Sequence, residues 1–287
     1  MDRKLRTAVD FYIDGVVGGD LAAVAARCIA DDLRQHTAGI ADGRAAFVAA
    51  YQPLIIRHDR RFIRPVRGFV DGNTVVLQTF QSFGYRDIER IVVDLFDLDD
   101  AGRIREQWSV TTPLARISAS GCSQLDGPTL VTDEDATTAN KRVVARFAAD
   151  VLMAGHSHDA ATYVSPTLVD HHQQRAGTCR HSSPATGYGY GYGPGVRRRI
   201  IRIAASGNFA VVLSRMPDAV TVCDLYRLDA GMIVEHWDVI QPDPITADHR
   251  QPSNAVGTVA TGTPYESVTS PEQPATLPSE RRARSGS

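Results

Sequence analysis

Apolar residues recur at helical spacing near the start of each half of the chain. In the first half these are Leu5, Val9, Tyr12, Ile13 and Val16; in the second, Val143, Val144, Phe147 and Val151. Each pattern predicts an amphipathic helix. Both halves then change to a period-two pattern rich in β-branched residues. VRGFVDGNTVVLQTF (66–80) and IRIAASGNFAVVLSR (201–215) each place a Gly-Asn pair between two β-rich runs, which is a hairpin signal. VVDLFDLDDAGRIREQWSV (92–110) and TVCDLYRLDAGMIVEHWDV (221–239) follow, each reading as strand, Asp/Gly turn, strand. Helices followed by a meander predict an α+β unit, with helices covering one face of a curved sheet and leaving a conical cavity.

The order of signals is the same in both halves, so the chain reads as an internal repeat. Phe11 aligns with Phe147, and at that offset Leu33-Arg34-Gln35-His36 aligns with Val169-Asp170-His171-His172. The expected organisation is a first domain over 1–116, a linker over 117–137, a second domain over 138–243 and a disordered tail over 244–287. The linker is rich in Ser, Gly, Asp and Thr. The tail is dominated by Pro, Thr, Ser and Ala, lacks apolar periodicity and ends in a short basic cluster.

Composition adds exclusions. Hydrophobic residues make up 43% and charged residues 22%, with a formal net charge of -2. That balance argues against a nucleic-acid partner, which would call for a basic stripe. No apolar run suits a signal peptide or a bilayer span, so no membrane partner and a cytoplasmic location are expected. Cys28, Cys122, Cys179 and Cys223 form no C-x-x-C pair, and reduced thiols are expected. His156, His158, His171, His172 and His181 cluster in sequence but match no closed tetrahedral framework, so no metal is expected.

Several strings carry a family resemblance: Arg34-Gln35-His36, ADGRAAFVAAY (41–51), the Gly-Asn hairpins, VVDLFDLD (92–99) and above all DLYRLDAGMIVEHWDVIQP (224–242). Together they resemble the SnoaL-like branch of the nuclear-transport-factor-2-like superfamily, across both repeats. The resemblance implies two tandem cone-shaped domains, each with helices packed in a strongly bent mixed sheet around a pocket for a small, often apolar molecule. It implies work without a cofactor. Members include polyketide cyclases, isomerases, dehydratases, epoxide hydrolases and non-enzymatic binders. Fold does not fix function in such a group.

The candidate chemistry is therefore read from residues. In Val234-Glu235-His236-Trp237-Asp238-Val239-Ile240, side chains alternate, so His236, Asp238 and Ile240 share one face. An imidazole and a carboxylate on a pocket face form an acid/base candidate. The resemblance puts the cyclases' catalytic carboxylate at Asp238. Asp224 is out of place in a β-rich run, since Asp is depleted in strands, and Asp94 recurs at the same place in the first repeat. His36 and His172 fall where the resemblance implies a pocket-facing histidine. The aromatic side chains Tyr12, Trp108, Phe147, Tyr226 and Trp237 are the expected substrate-binding surfaces.

The copies are unequal. The first reads Glu106-Gln107-Trp108-Ser109 where the second reads Glu235-His236-Trp237-Asp238, so His and Asp become Gln107 and Ser109. The helical run Arg44–Tyr51 of the first is replaced in the second by a Gly- and Pro-rich stretch (179–199). It reads as a loop bearing Tyr188, Tyr190 and Tyr192, a lid or an insertion. The second repeat is thus expected to be catalytic with the first as its built-in dimer partner; alternatively the first works through His36 and Asp94. The expected activity is cofactor-free cyclisation, isomerisation or hydrolysis of a small apolar, polyketide-like molecule. The alternatives are epoxide opening between Asp224 and Asp238, or a ligand-binding protein without catalysis.

Overall fold

The computed structural model describes residues 1–37, 39–84, 89–114, 122–172, 197–217 and 219–242. The tail expected to be disordered, the Gly/Tyr stretch up to residue 196 and Cys179 lie outside the described residues.

The first unit opens with helix α1 (Arg3–Asp10), which continues without a break as a π-helical segment, Phe11–Val17. The Asp2 side chain caps α1 by accepting from the Lys4 N–H, satisfying an amide that has no partner in the helix. Helix α2 (Leu21–Cys28) leads directly into strand β1 (Ile29–Gln35), and α3 (Arg44–Arg57) follows. Strands β2 (Arg61–Asp71), β3 (Thr74–Phe83), β4 (Arg90–Leu98) and β5 (Ile104–Pro113) form an antiparallel meander. β1 returns to pair parallel with β5, giving the order β1-β5-β4-β3-β2.

The second unit repeats this design. Helix α4 (Thr137–Phe147) passes into its own π-helical segment, Ala148–Met153. Then come β6 (Val164–Asp170), β7 (Arg199–Ser206), β8 (Phe209–Arg215), β9 (Val220–Asp229) and β10 (Met232–Pro242). β6 pairs parallel with β10, and the order is β6-β10-β9-β8-β7. The fold is α+β, two tandem cone-like units. The Gly-Asn hairpins form as expected, with Gly72 and Gly207 at positive φ in the turns. The π-helical continuation at the same place in both units is a feature the 3.6-residue spacing does not announce.

Each sheet has two apolar faces. On one, Phe11, Tyr12, Val16, Leu33, Phe47 and Phe96 pack helices onto the first sheet, and Phe147, Leu152, Leu168, Val212, Tyr226 and Ile233 do so in the second. The other faces meet. Phe69, Val76, Val93, Leu95, Trp108 and Val110 of the first sheet share one core with Phe209, Val211, Leu213, Leu225, Trp237 and Val239 of the second. Complete burial of such a side chain is worth roughly 1.5–3 kcal/mol. Trp108 and Trp237 therefore belong to the core between the sheets. This corrects their expected place in a substrate pocket; the alternation of side chains puts them on the face opposite Gln107 and His236.

Cys28 and Cys223 are free and buried, whereas Cys122 is disulfide-bonded. The expectation of reduced thiols is corrected at Cys122: the lack of a C-x-x-C pair does not exclude a disulfide. Among the described residues no helix is long and apolar enough to cross a membrane.

Candidate functional site

Strands β9 and β10 set the site. Their antiparallel register places Asp238 opposite Asp224 and His236 opposite Tyr226. Because Trp237 and Val239 point into the core between the sheets, His236 and Asp238 lie on the helix-covered face. Two carboxylates directly opposed across strands repel, so the fold must supply positive charge and hydrogen bonds.

It does so in two groups. In the first, His236 lies between two carboxylates, with Nδ1 3.1 Å from Asp170 Oδ1 and Nε2 3.1 Å from Asp224 Oδ1. Arg198 donates to the other Asp224 oxygen at 2.7 Å and to Ser214 Oγ at 3.3 Å. The Arg198 and Asp224 side chains are fully buried. Burial by itself would lower the His236 pKa. Hydrogen bonds and charge from Asp170 and Asp224 overcome this and raise it to about 10. An imidazole with both nitrogens facing carboxylates is an imidazolium that donates twice.

In the second group, His172 Nδ1 lies 2.6 Å from Asp238 Oδ2, both side chains being 6% exposed. The backbone N–H of His172 donates to Asp170 Oδ1 at 3.2 Å, tying the two groups together. A carboxylate on Nδ1–H fixes the tautomer and leaves Nε2 with a lone pair for a proton. Among the described residues, no hydrogen bond engages His172 Nε2 or Asp238 Oδ1.

The first unit has the same scaffold with one carboxyl, Asp94, and neither the histidine nor the second carboxylate. Asp94 faces Ser109 across the strands and is fully buried. It accepts from Tyr12 Oη at 2.7 Å and from Gln107 Nε2 at 3.0 Å, and Gln107 Oε1 accepts from Gln35 Nε2 at 2.9 Å. Burial pushes the Asp94 carboxyl up to about 6, against hydrogen bonds from Tyr12, Ser109 and Gln107 that pull it down. Tyr12 packs against Phe11, which also contacts Phe47. Tyr12 thus fills this unit's helix-side core.

His36 is on the other face. Its Nε2 lies 2.7 Å from Glu106 Oε1 and its ring stacks on Trp108 at 4.5 Å. His36 and Asp94 are separated by the sheet and do not form one site. The counterpart of His36 is also corrected. The His36 N–H donates to Gln107 O, and the His171 N–H donates to His236 O. His36 thus matches His171, and His172 takes the place of Thr37. His171 repeats the stack on Trp237 at 4.8 Å and bonds Glu235 Oε1 at 2.9 Å. His171 and Arg227 hold the Glu235 carboxyl below its usual range, against a burial effect that raises it.

Of the remaining aromatic candidates, Phe147 and Tyr226 meet edge to face at 5.6 Å, and Tyr226 stacks on His236 at 5.1 Å. The structure thus unites Asp238, His172, His236 and Asp224, and separates from them His36, Asp94, Trp108 and Trp237. Sequence reading missed Asp170 and Arg198. Asp170 carried the signal that drew attention to Asp224, an aspartate inside a strand; Arg198 carried none. Among the described residues, no group of three or more His, Cys, Asp or Glu side chains is arranged to hold a metal ion. A crevice elsewhere, at the junction of the units, is lined by Leu5, Phe69, Asp71, Val131 and Glu134 and does not touch the dyad.

No family model matches the chain, and no curated protein matches it. Solved structures do. IdmH of Streptomyces antibioticus is 18% identical, covering 38% of this chain and 92% of that one, with a TM-score of 0.33. A protein of Jannaschia sp. CCS1, provisionally assigned as a SnoaL-like polyketide cyclase, is 18% identical over 39% of this chain and 90% of its own, at 0.34. An M. tuberculosis LEH-like epoxide hydrolase is 20% identical over 37% and 80%, at 0.31.

Proposed function

We propose that the helix-side face of the second unit is the active site of a cofactor-independent acid–base enzyme, and that the chain is a duplicated SnoaL-like protein whose first unit is the built-in partner. The observation that carries this is the buried His172–Asp238 pair, in hydrogen-bonded contact at 2.6 Å, with one nitrogen and one oxygen that no hydrogen bond engages among the described residues. In this reading His172 Nε2 takes a proton from a carbon or hydroxyl of the substrate. Asp238 holds the imidazole and stabilises the imidazolium that forms; the proton is then returned to the product.

His236 has a different part from the one its position in the strand suggests. Both ring nitrogens are engaged, so it supports the site as a fixed positive charge instead of exchanging a proton with the substrate. Asp224 likewise has both oxygens occupied. That weakens epoxide opening between Asp224 and Asp238, which needs two carboxylates free to bind a water or hydroxyl. The substrate class, a small apolar polyketide-like carbonyl compound, is supported by the resemblance of the EHWDVIQP strand. No nucleic acid or membrane is part of this reading.

A panel of polyketide-like β-keto esters tests the proposal. Wild type should turn over at least one, and Asp238→Asn and His172→Gln should each lower turnover by roughly 10²–10⁴. Ser109→Ala, at the matching place in the first unit, should leave it unchanged. Binding of the panel without turnover would make the protein a carrier instead.

A further inference from the structure

Strand β6 ends at Asp170, opposite His236 on β10. Among the described residues, no parallel neighbour continues along the β10 edge beyond that point. The His236 carbonyl faces that edge, since it accepts from the His171 N–H. Two residues on, the Asp238 carbonyl faces the same way. The partner it finds there is Gln124, which is 2% exposed and donates to the Asp238 carbonyl through Nε2.

Gln124 belongs to a strap, residues 122–128, that joins the units. The strap also reaches the residue before His172: Ser123 O lies 2.7 Å from His171 Nδ1. Asp126 O accepts from Trp237 Nε1 at 3.1 Å. Gly127 (φ +90) sits so close to Glu235 and Trp237 that a Cβ there would collide with both.

The strap is in turn gripped by the first unit. Arg67, on β2, donates through Nε to Pro128 O at 2.8 Å, through one terminal nitrogen to Gln124 O at 3.3 Å and through the other to Asp126 O. Gln78 Oε1 accepts from it at 2.8 Å, and its guanidinium lies 4.1 Å from the centroid of the Trp237 ring. Its structural counterpart in the second unit, Arg202, lies 4.6 Å from the Trp108 centroid but bonds Asp97 at 2.6 Å instead of a strap. The arginine that grips a strap serves the unit carrying the ionisable pair; the arginine that does not serves the unit lacking it.

We propose that Arg67 and Gln124 are positioning residues for the second unit's site: through the strap, the first unit fixes the backbone at Asp238 and the residue preceding His172. This rests on the reading of His172–Asp238 as the acid–base pair. It gives the first unit a task beyond burying a shared core.

The test is the imidazole proton on His172 Nδ1, followed by NMR on the full chain, which needs no substrate. In wild type it should be shifted downfield and exchange slowly with water, and Asp238→Asn should abolish it. Gln124→Leu should speed its exchange by about tenfold, the loss of one hydrogen bond's restraint, and Arg67→Met, which loses several, by at least about that much, while backbone amides of β8 exchange as before. Arg202→Met should leave the signal unchanged. If Arg67→Met fails to fold, Gln124→Leu decides alone. A signal lost in Asp238→Asn but untouched by Gln124→Leu would overturn the positioning role and spare the acid–base pair. A signal indifferent to Asp238→Asn would remove the pair, and the positioning role with it.

Discussion

Arg67 of the first unit lies over the ring of Trp237 in the second, 4.1 Å from its centroid, and is itself 3% exposed. Burial lowers its pKa to about 10, against the pull of Glu235 and Asp126. It stays charged at neutral pH and serves three backbone carbonyls at once. The matching Arg202–Trp108 contact leaves the Arg202 side chain 35% exposed. Arg67→Ala should therefore cost roughly 3 kcal/mol, by orphaning buried carbonyls and removing the stack. Arg202→Ala should cost about 1 kcal/mol, as a part-exposed ion pair with a stacking contact. Urea unfolding of the two variants measures the difference; equal costs would mean the strap contributes nothing to stability.

The pH response of the first unit follows from Asp94. Its carboxyl is raised from 3.8 to about 6 by burial. The folded state then holds the proton more tightly than the unfolded state. The stabilising contribution of the protonated group is complete below about pH 4 and lost as pH rises to about 6. A shift of this size corresponds to roughly 3 kcal/mol. Subtracting the stability of Asp94→Asn from that of wild type removes the other titrating groups, and the difference should fall between pH 4 and 6. A flat difference would mean that Asp94 titrates normally.

In the second unit the sign is the same but the window is alkaline. His236 is raised from 6.5 to about 10, since the pull of Asp170 and Asp224 exceeds the opposing effect of burial. A raised histidine stabilises fully below about pH 6.5, and that contribution disappears as pH climbs through about 10. His236→Gln installs the residue found at the same place in the first unit. The stability difference between wild type and this variant should shrink steadily from pH 6.5 to 10. A difference that is constant over that range would show a neutral His236.

Two glycines at positive φ offer a matched pair. Gly127 is packed against Glu235 and Trp237, whereas a Cβ at Gly72 meets nothing within 4 Å. Gly72→Ala should cost about 1 kcal/mol, the strain of a left-handed backbone. Gly127→Ala adds the collision and should cost about 3 kcal/mol. Thermal unfolding read against ΔH separates them.

The residue pattern alone determined the α+β class with two cone-like units, the hairpins at Gly72-Asn73 and Gly207-Asn208, and the shared face of His236 and Asp238. These rest on local rules: helical spacing, strand alternation and turn chemistry act between residues near each other in the chain. The π-helical extensions, the register that pairs His36 with His171, the bonded state of Cys122 and the burial of Trp108 and Trp237 between the sheets were decided by tertiary structure. So were the partners of the site. Asp170, His172 and Arg198 reach Asp224, His236 and Asp238 only because β6 returns beside β10 and Arg198 leads into β7. The strap's hold on Asp238 also depends on where β6 stops. Which charge ends up next to which is a property of packing, because a buried charge must find its partner in space and its neighbours in sequence do not reveal where that partner lies.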